Sequence, residues 1–138
     1  MARKKRIKPL KKRLWKIFSQ YIRIRDADDH GYCKCITCGK RFHWKEMDAG
    51  HFISRAWNNL LFNEYNVNAQ CHRCNRFLEG EKDLYGKALD KKYGKSTRPM
   101  LNKLKMPRNF KCDELEDMID NYKDKLSYMA KLKNIDIN

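Results

Sequence analysis

An α+β, mostly helical fold is predicted by three features of this 138-residue sequence. Two cysteine pairs, Cys35-x-x-Cys38 and Cys71-x-x-Cys74, bracket 32 residues. Short alternating polar and apolar segments lie between them, and both ends of the chain carry apolar stripes at helical spacing. Each Cys-x-x-Cys turn can aim two thiolates at one tetrahedral Zn²⁺, so Cys35, Cys38, Cys71 and Cys74 complete a closed structural site with no open position for chemistry. Such a zinc-stabilised core, about residues 33–80, compensates for an apolar content that is modest for one domain of this length.

Residues 1–8 read as a disordered basic arm and residues 9–138 as a single domain. Pro9 suits a first helical position, and Leu10, Leu14, Ile17, Phe18, Tyr21 and Ile22 share a face, which predicts a helix from Pro9 to Asp26. Asp28 to Gly31 reads as a turn. The first knuckle leads into a short strand at Arg41 to Trp44, and a second strand is expected at Asp48 to Ser54. Trp57 to Asn68 has no clear period and reads as an irregular connection across a site. A short helix is expected from Cys71 to Leu78, ended by Gly80, then helices at Lys82 to Tyr93 and Thr97 to Leu104. Asp113 and Glu116 have capping-box spacing and open a final helix to Lys133. Its stripe of Leu115, Met118, Ile119, Tyr122, Leu126 and Met129 is expected to pack on the first helix, with a homodimer seam as the alternative.

The formal net charge is +15 and the pI about 9.7, which makes nucleic acid the first partner to expect. Eleven Lys or Arg residues fall between Arg3 and Arg25, ahead of the first acidic residue, Asp26. Arg3, Lys4, Lys5, Arg6, Lys11, Lys12, Arg13, Lys16 and Arg23 are accordingly the candidate phosphate contacts; plain solvation, or an anionic lipid surface, is the competing use of such a face. The paired cysteine spacing fits metal knuckles better than a secreted disulfide framework, and no apolar leader precedes it, so a reducing cytoplasm is expected. No apolar run is long enough to cross a bilayer.

The clamped segment holds groups suited to phosphodiester hydrolysis, which needs an activated water, a cation at the departing 3′ oxygen and positive charge on the phosphoryl oxygens. His51 is the candidate general base, Asn75 a candidate amide-oxygen ligand for Mg²⁺ or Mn²⁺, and Arg55 the candidate phosphate contact. The plainer alternatives are a surface or zinc-ligand histidine, a helix-capping asparagine and one more arginine in a basic chain.

Asp48-Ala-Gly-His51, Leu61-Phe62-Asn63-Glu64-Tyr65-Asn66 and Gln70-Cys71-x-x-Cys74-Asn75 resemble the phage NinG (Rap) recombination proteins, members of the HNH, or ββα-metal, nuclease superfamily. The resemblance runs from the first helix to the last; its specific part is Cys35 to Asn75. It implies an HNH core flanked by helices and a metal-dependent endonuclease of branched DNA such as D-loops and Holliday junctions. It further implies that His51 deprotonates water, that Asn66 fixes the loop and helps orient the base, and that Asn75 binds the catalytic cation. The four knuckle cysteines match the family's zinc ligands.

The chain departs from the HNH pattern at Gly50, where many such enzymes carry an acidic or histidine ligand. Asp48 is the nearest substitute, yet strand alternation turns it away from His51 unless a bulge or strand end intervenes. Glu81 is either an extra ligand or a helix-starting residue. Cys33 stands close enough to compete with Cys35, Cys112 reads as a packing residue, and His43 and His72 are superfluous to a four-cysteine site. Two other functions fit the same residues: a zinc-containing DNA-binding module without catalysis, and a sequence-specific HNH nuclease.

Overall fold

A computed structural model describes the backbone of residues 2–138 and the side chains of residues 6–138. The fold is α+β, with helices dominating two small antiparallel sheets. Helix α1 spans Ala2–Arg25, so it begins ahead of the expected start at Pro9, and Pro9 lies inside it. Lys and Arg are good helix formers, and a proline near the start of a helix removes only one ladder bond. Helix α4, Cys112–Lys133, lies along α1. Leu14, Phe18 and Ile22 of α1 and Leu115, Ile119, Tyr122 and Leu126 of α4 are buried together, each side chain removing about 1.5–3 kcal/mol of apolar exposure. Phe18 meets Tyr122 edge-on at 4.9 Å. The α4 stripe therefore packs on α1, the first of the two expectations, with Met118 and Met129 only partly buried. Lys133 Nζ donates to the carbonyls of Ile24, Arg25 and Ala27 at 2.6–2.9 Å, placing a cation on the carbonyl end of α1.

Strands β1 (Tyr32–Lys34) and β2 (Arg41–His43) form a hairpin that carries the first knuckle in its turn. Strands β3 (Met47–His51) and β4 (Val67–Cys71) pair antiparallel without interruption from Met47↔Cys71 to His51↔Val67. Expected as part of a shapeless connection at its start, β4 is hidden from periodicity because all five of its residues are buried, including Asn68 and Gln70. A π-helical turn, Arg73–Phe77, follows β4 directly and stands where a helix to Leu78 is expected.

Helices α2 (Lys82–Tyr93) and α3 (Thr97–Lys103) follow, and their Tyr85, Leu89 and Leu101 enclose Ile53 and Leu60 in a second, smaller core. Gly94 ends α2 at φ 104°, a conformation suited to glycine. The capping box at Asp113 does not form: α4 begins one residue earlier, at Cys112, and Asp113 Oδ1 accepts from the Glu114 amide. Among the described residues no helix is long and apolar enough to cross a membrane.

Candidate metal centre and basic cleft

The hairpin turn and the β4–π-turn junction bring Cys35, Cys38, Cys71 and Cys74 together, with all four sulfurs within 4.8 Å of one another. Zn–S bonds of about 2.3 Å in a tetrahedron separate sulfurs by roughly 3.8 Å. Cys38 Sγ and Cys71 Sγ stand 3.8 Å apart. The amides of Cys38 and Cys74 point at Cys35 and Cys71 Sγ at 3.5 Å, the N–H···S pattern of a thiolate knuckle. Burial pushes the Cys35 thiol up, but the Cys38 and Cys71 amides and Thr37 outweigh it and hold the group at about 6. The four sulfurs thus fit a closed zinc site. Cys33 does not join them: it is fully buried, donates to Arg23 O at 3.1 Å, and burial pushes its thiol up to about 12.

Beside this centre lies an open cleft of about 750 Å³, lined by Trp15, Arg23, Lys45, Asp48, His51, Arg55, His72, Asn75, Arg76 and Lys82 among others. His51 is the last residue of β3 and its Nε2 is 3.0 Å from Leu61 O. A carbonyl only accepts, so Nε2 carries the proton and Nδ1 keeps its lone pair. Burial lowers the imidazole to about 4, opposed by the Leu61 bond and assisted by Arg55 and Lys82, so the ring is neutral at neutral pH. Trp15 of α1 stacks on it at 5.0 Å and 22°, and the Arg55 guanidinium lies 5.4 Å from the Trp15 ring. The strand end is pinned further: Tyr85 OH donates to Gly50 O at 2.6 Å, and Lys82 Nζ donates to His51 O.

Asp48 and His51 line the same cleft with no bulge between them, because β3 stops at His51. The Asp48 carboxylate is already engaged. It accepts from Asn75 Nδ2 at 2.9 Å and from Arg76 Nε and a terminal guanidinium nitrogen at 2.9 and 2.8 Å. His72 Nδ1 stands 2.8 Å from Asp48 Oδ1 without hydrogen-bond alignment. Burial raises the Asp48 carboxyl, and these Asn75, Arg76 and His72 neighbours more than reverse it. Asn75 spends its amide nitrogen on Asp48, while its Oδ1 would lie 3.1 Å from a Cβ placed on Gly50. That same Cβ would lie 2.1 Å from Gln70 Oε1, so position 50 has no room for a ligand-bearing side chain.

Asn66 is fully buried and does not line the cleft. Its Oδ1 accepts from Ile53 N at 2.7 Å and its Nδ2 donates to Ile53 O and Leu60 O at 3.0 and 3.2 Å, so it staples the 53–60 loop to the strand that faces His51. Glu81 caps α2 in a left-handed conformation outside the cleft, while Glu79 lines it. Of the expected phosphate contacts, Lys12, Arg13 and Lys16 are exposed. Lys11 donates to Asn58 Oδ1 at 3.4 Å and Arg6 pairs with Glu116. Arg23 lines the cleft but donates to Ser19 O and Trp44 O at 3.1 and 3.2 Å. The side chains of Arg3, Lys4 and Lys5 lie outside the described residues.

Sequence reasoning missed Trp15, Arg76, Lys82 and Tyr85. Arg76 adjoins Asn75, and Lys82 and Tyr85 open the helix after Gly80, so proximity to the knuckle was the available signal. Trp15 carried none, since it lies one residue off the buried stripe of α1.

A family model described as Bacteriophage Lambda NinG protein matches residues 1–133. No curated protein and no solved structure gives a significant match.

Proposed function

Because the chain belongs to the NinG family, we propose that it is a metal-dependent DNA endonuclease of phage recombination, with an HNH-type ββα-metal core, acting on branched intermediates such as D-loops and Holliday junctions. The observation that carries this reading is His51: a neutral imidazole whose Nε2–H is held by Leu61 O, leaving Nδ1 as the base beside a cleft lined by Arg55, Arg76 and Lys82. The order β3, β4, π-turn on a four-cysteine site supports the superfamily assignment.

On this reading His51 Nδ1 takes a proton from water, the resulting hydroxide oxygen bonds to phosphorus, and the P–O3′ bond breaks. The products carry a 5′-phosphate and a 3′-hydroxyl, the 3′ oxygen gaining its proton from solvent. Arg55 neutralises the non-bridging oxygens, and Lys82 holds the His51 backbone in place. Asn75 Oδ1 and Asp48 would hold Mg²⁺ or Mn²⁺, which would supply charge stabilisation of the departing oxygen. Hard oxygen donors at these two residues fit such an ion, provided that Arg76 swings from the carboxylate to the phosphate. Asn66 acts at one remove, by fixing the loop.

The Arg76–Asp48 pair favours one alternative, a zinc-containing DNA-binding module, since an acidic ligand satisfied by arginine has less need of a cation. Cleavage of a labelled four-way junction, a flap and a linear duplex with Mg²⁺ or Mn²⁺ separates the two. A folded, zinc-loaded His51→Ala variant is expected to cut about 10²- to 10⁴-fold more slowly than the wild type. Binding without cutting by both proteins, on every substrate and ion, establishes the module instead.

A further inference from the structure

Phe77 is 80 % exposed, more than any other large apolar side chain among the described residues. It ends the π-helical turn that carries Cys74, Asn75 and Arg76. Residues on either side of it, Asn75, Arg76, Glu79 and Gly80, line the cleft, whereas Phe77 and Leu78 do not, so the ring projects from the rim. Arg73 and Arg76 precede it on the turn as exposed cations, Arg76 being paired with Asp48. The turn is anchored to the metal knuckle: Leu78 N donates to Arg73 O at 3.0 Å and Gly80 N to Cys74 O at 2.8 Å. Within a protein of net charge +15, this places a bare aromatic ring on the same five-residue turn as Arg73, Arg76 and a candidate catalytic ligand.

A continuous duplex presents phosphates and groove edges to such a ring, and no π-face. A π-face becomes available where stacking is interrupted, at a branch, flap or unpaired base, and aromatic side chains stack there with little regard to sequence. Arg73, exposed on the same turn, matches a phosphate beside such a base. We propose that Phe77 is a stacking wedge that seats against an unstacked base at a DNA discontinuity and so selects the phosphate presented to His51. The inference rests on the nuclease reading for its consequence, and on DNA binding alone for its existence.

The test uses the full zinc-loaded protein with Ca²⁺ in place of Mg²⁺, a four-way junction and a flap carrying 2-aminopurine at the branch, and a matched linear duplex. Wild type is expected to change 2-aminopurine fluorescence at the branch and to prefer branched DNA. Phe77→Ala, at a site too exposed to affect folding, is expected to keep duplex affinity and lose about 5- to 150-fold of branch preference. Phe77→Trp is expected to retain the preference, with its own emission quenched on binding branched DNA. Unchanged preference and fluorescence in Phe77→Ala overturn the proposal, as does a changed oligomeric state, which would make the ring a protein contact. A protein that stacks on the branch but never cuts with Mg²⁺ or Mn²⁺ keeps the wedge and loses the nuclease reading; no DNA binding at all ends both.

Discussion

Trp15 joins the two groups that the proposed chemistry needs to hold still, stacking on His51 at 5.0 Å and lying 5.4 Å from the Arg55 guanidinium. Burial is the largest influence on the His51 imidazole, holding it at about 4 against an ordinary 6.5. Replacing Trp15 with Ala admits water to the ring and favours its charged form, so the imidazole is expected to move up toward 6.5. A base must be unprotonated to act; the acid limb of any cleavage profile therefore shifts to higher pH in the same variant. Imidazole titration by NMR, alongside the cleavage profile, checks both shifts, and an unmoved imidazole shows that the stack does not desolvate it. At this scale the sequence was readable where chemistry follows spacing. The four cysteines meet in one cluster and His51, Asn75 and Arg55 line one cleft, whereas Trp15, more than thirty positions before His51, reaches it through the course of α1, which no local pattern reveals.

Helix α4 determines whether α1 can present that tryptophan. Ile119 is 2 % exposed between the two helices, and Ile119→Ala leaves a cavity that the packed pair cannot close, with an expected loss of about 2–5 kcal/mol in urea unfolding. A loss below about 0.5 kcal/mol would mean that α4 contributes little to the core. Both helices were legible because each buries one stripe and solvates the rest. Strand β4 was not, because a sheet strand enclosed on both sides shows no alternation, and its Asn68 and Gln70 look like loop residues until their partners are known. Gln70 Nε2 donates to Gly80 O at 2.8 Å, and Asn68 Nδ2 to Tyr65 O at 3.1 Å. The failed capping box at Asp113 has a similar cause: the aspartate satisfies a neighbouring amide locally and leaves the helix to start without it.

For the molecule as a whole, a metal held by the four clustered cysteines would make its binding and folding one equilibrium. Metal binding to such knuckles contributes about 10 kcal/mol or more, comparable with the whole stability of an ordinary domain. Chelation, or Cys74→Ser, is expected to remove the cooperative thermal transition by circular dichroism and, with it, the β3–β4 register; a transition that survives full zinc removal would assign the stability to α1 and α4 alone. Net charge was legible as a total, but not as a map. Four of the cations that line the cleft, Lys45, Arg55, Arg76 and Lys82, come from the middle of the chain, and the basic N-terminal run contributes Arg23.

The pairing of α1 with α4 also imposes an order in time. Trp15 is made early and His51 soon after, yet the buried face of α1 has no complete partner until residues 112–133 have left the ribosome. A partly translated chain consequently lacks the rigid stack on His51, and the cleft is assembled only once α4 has joined α1.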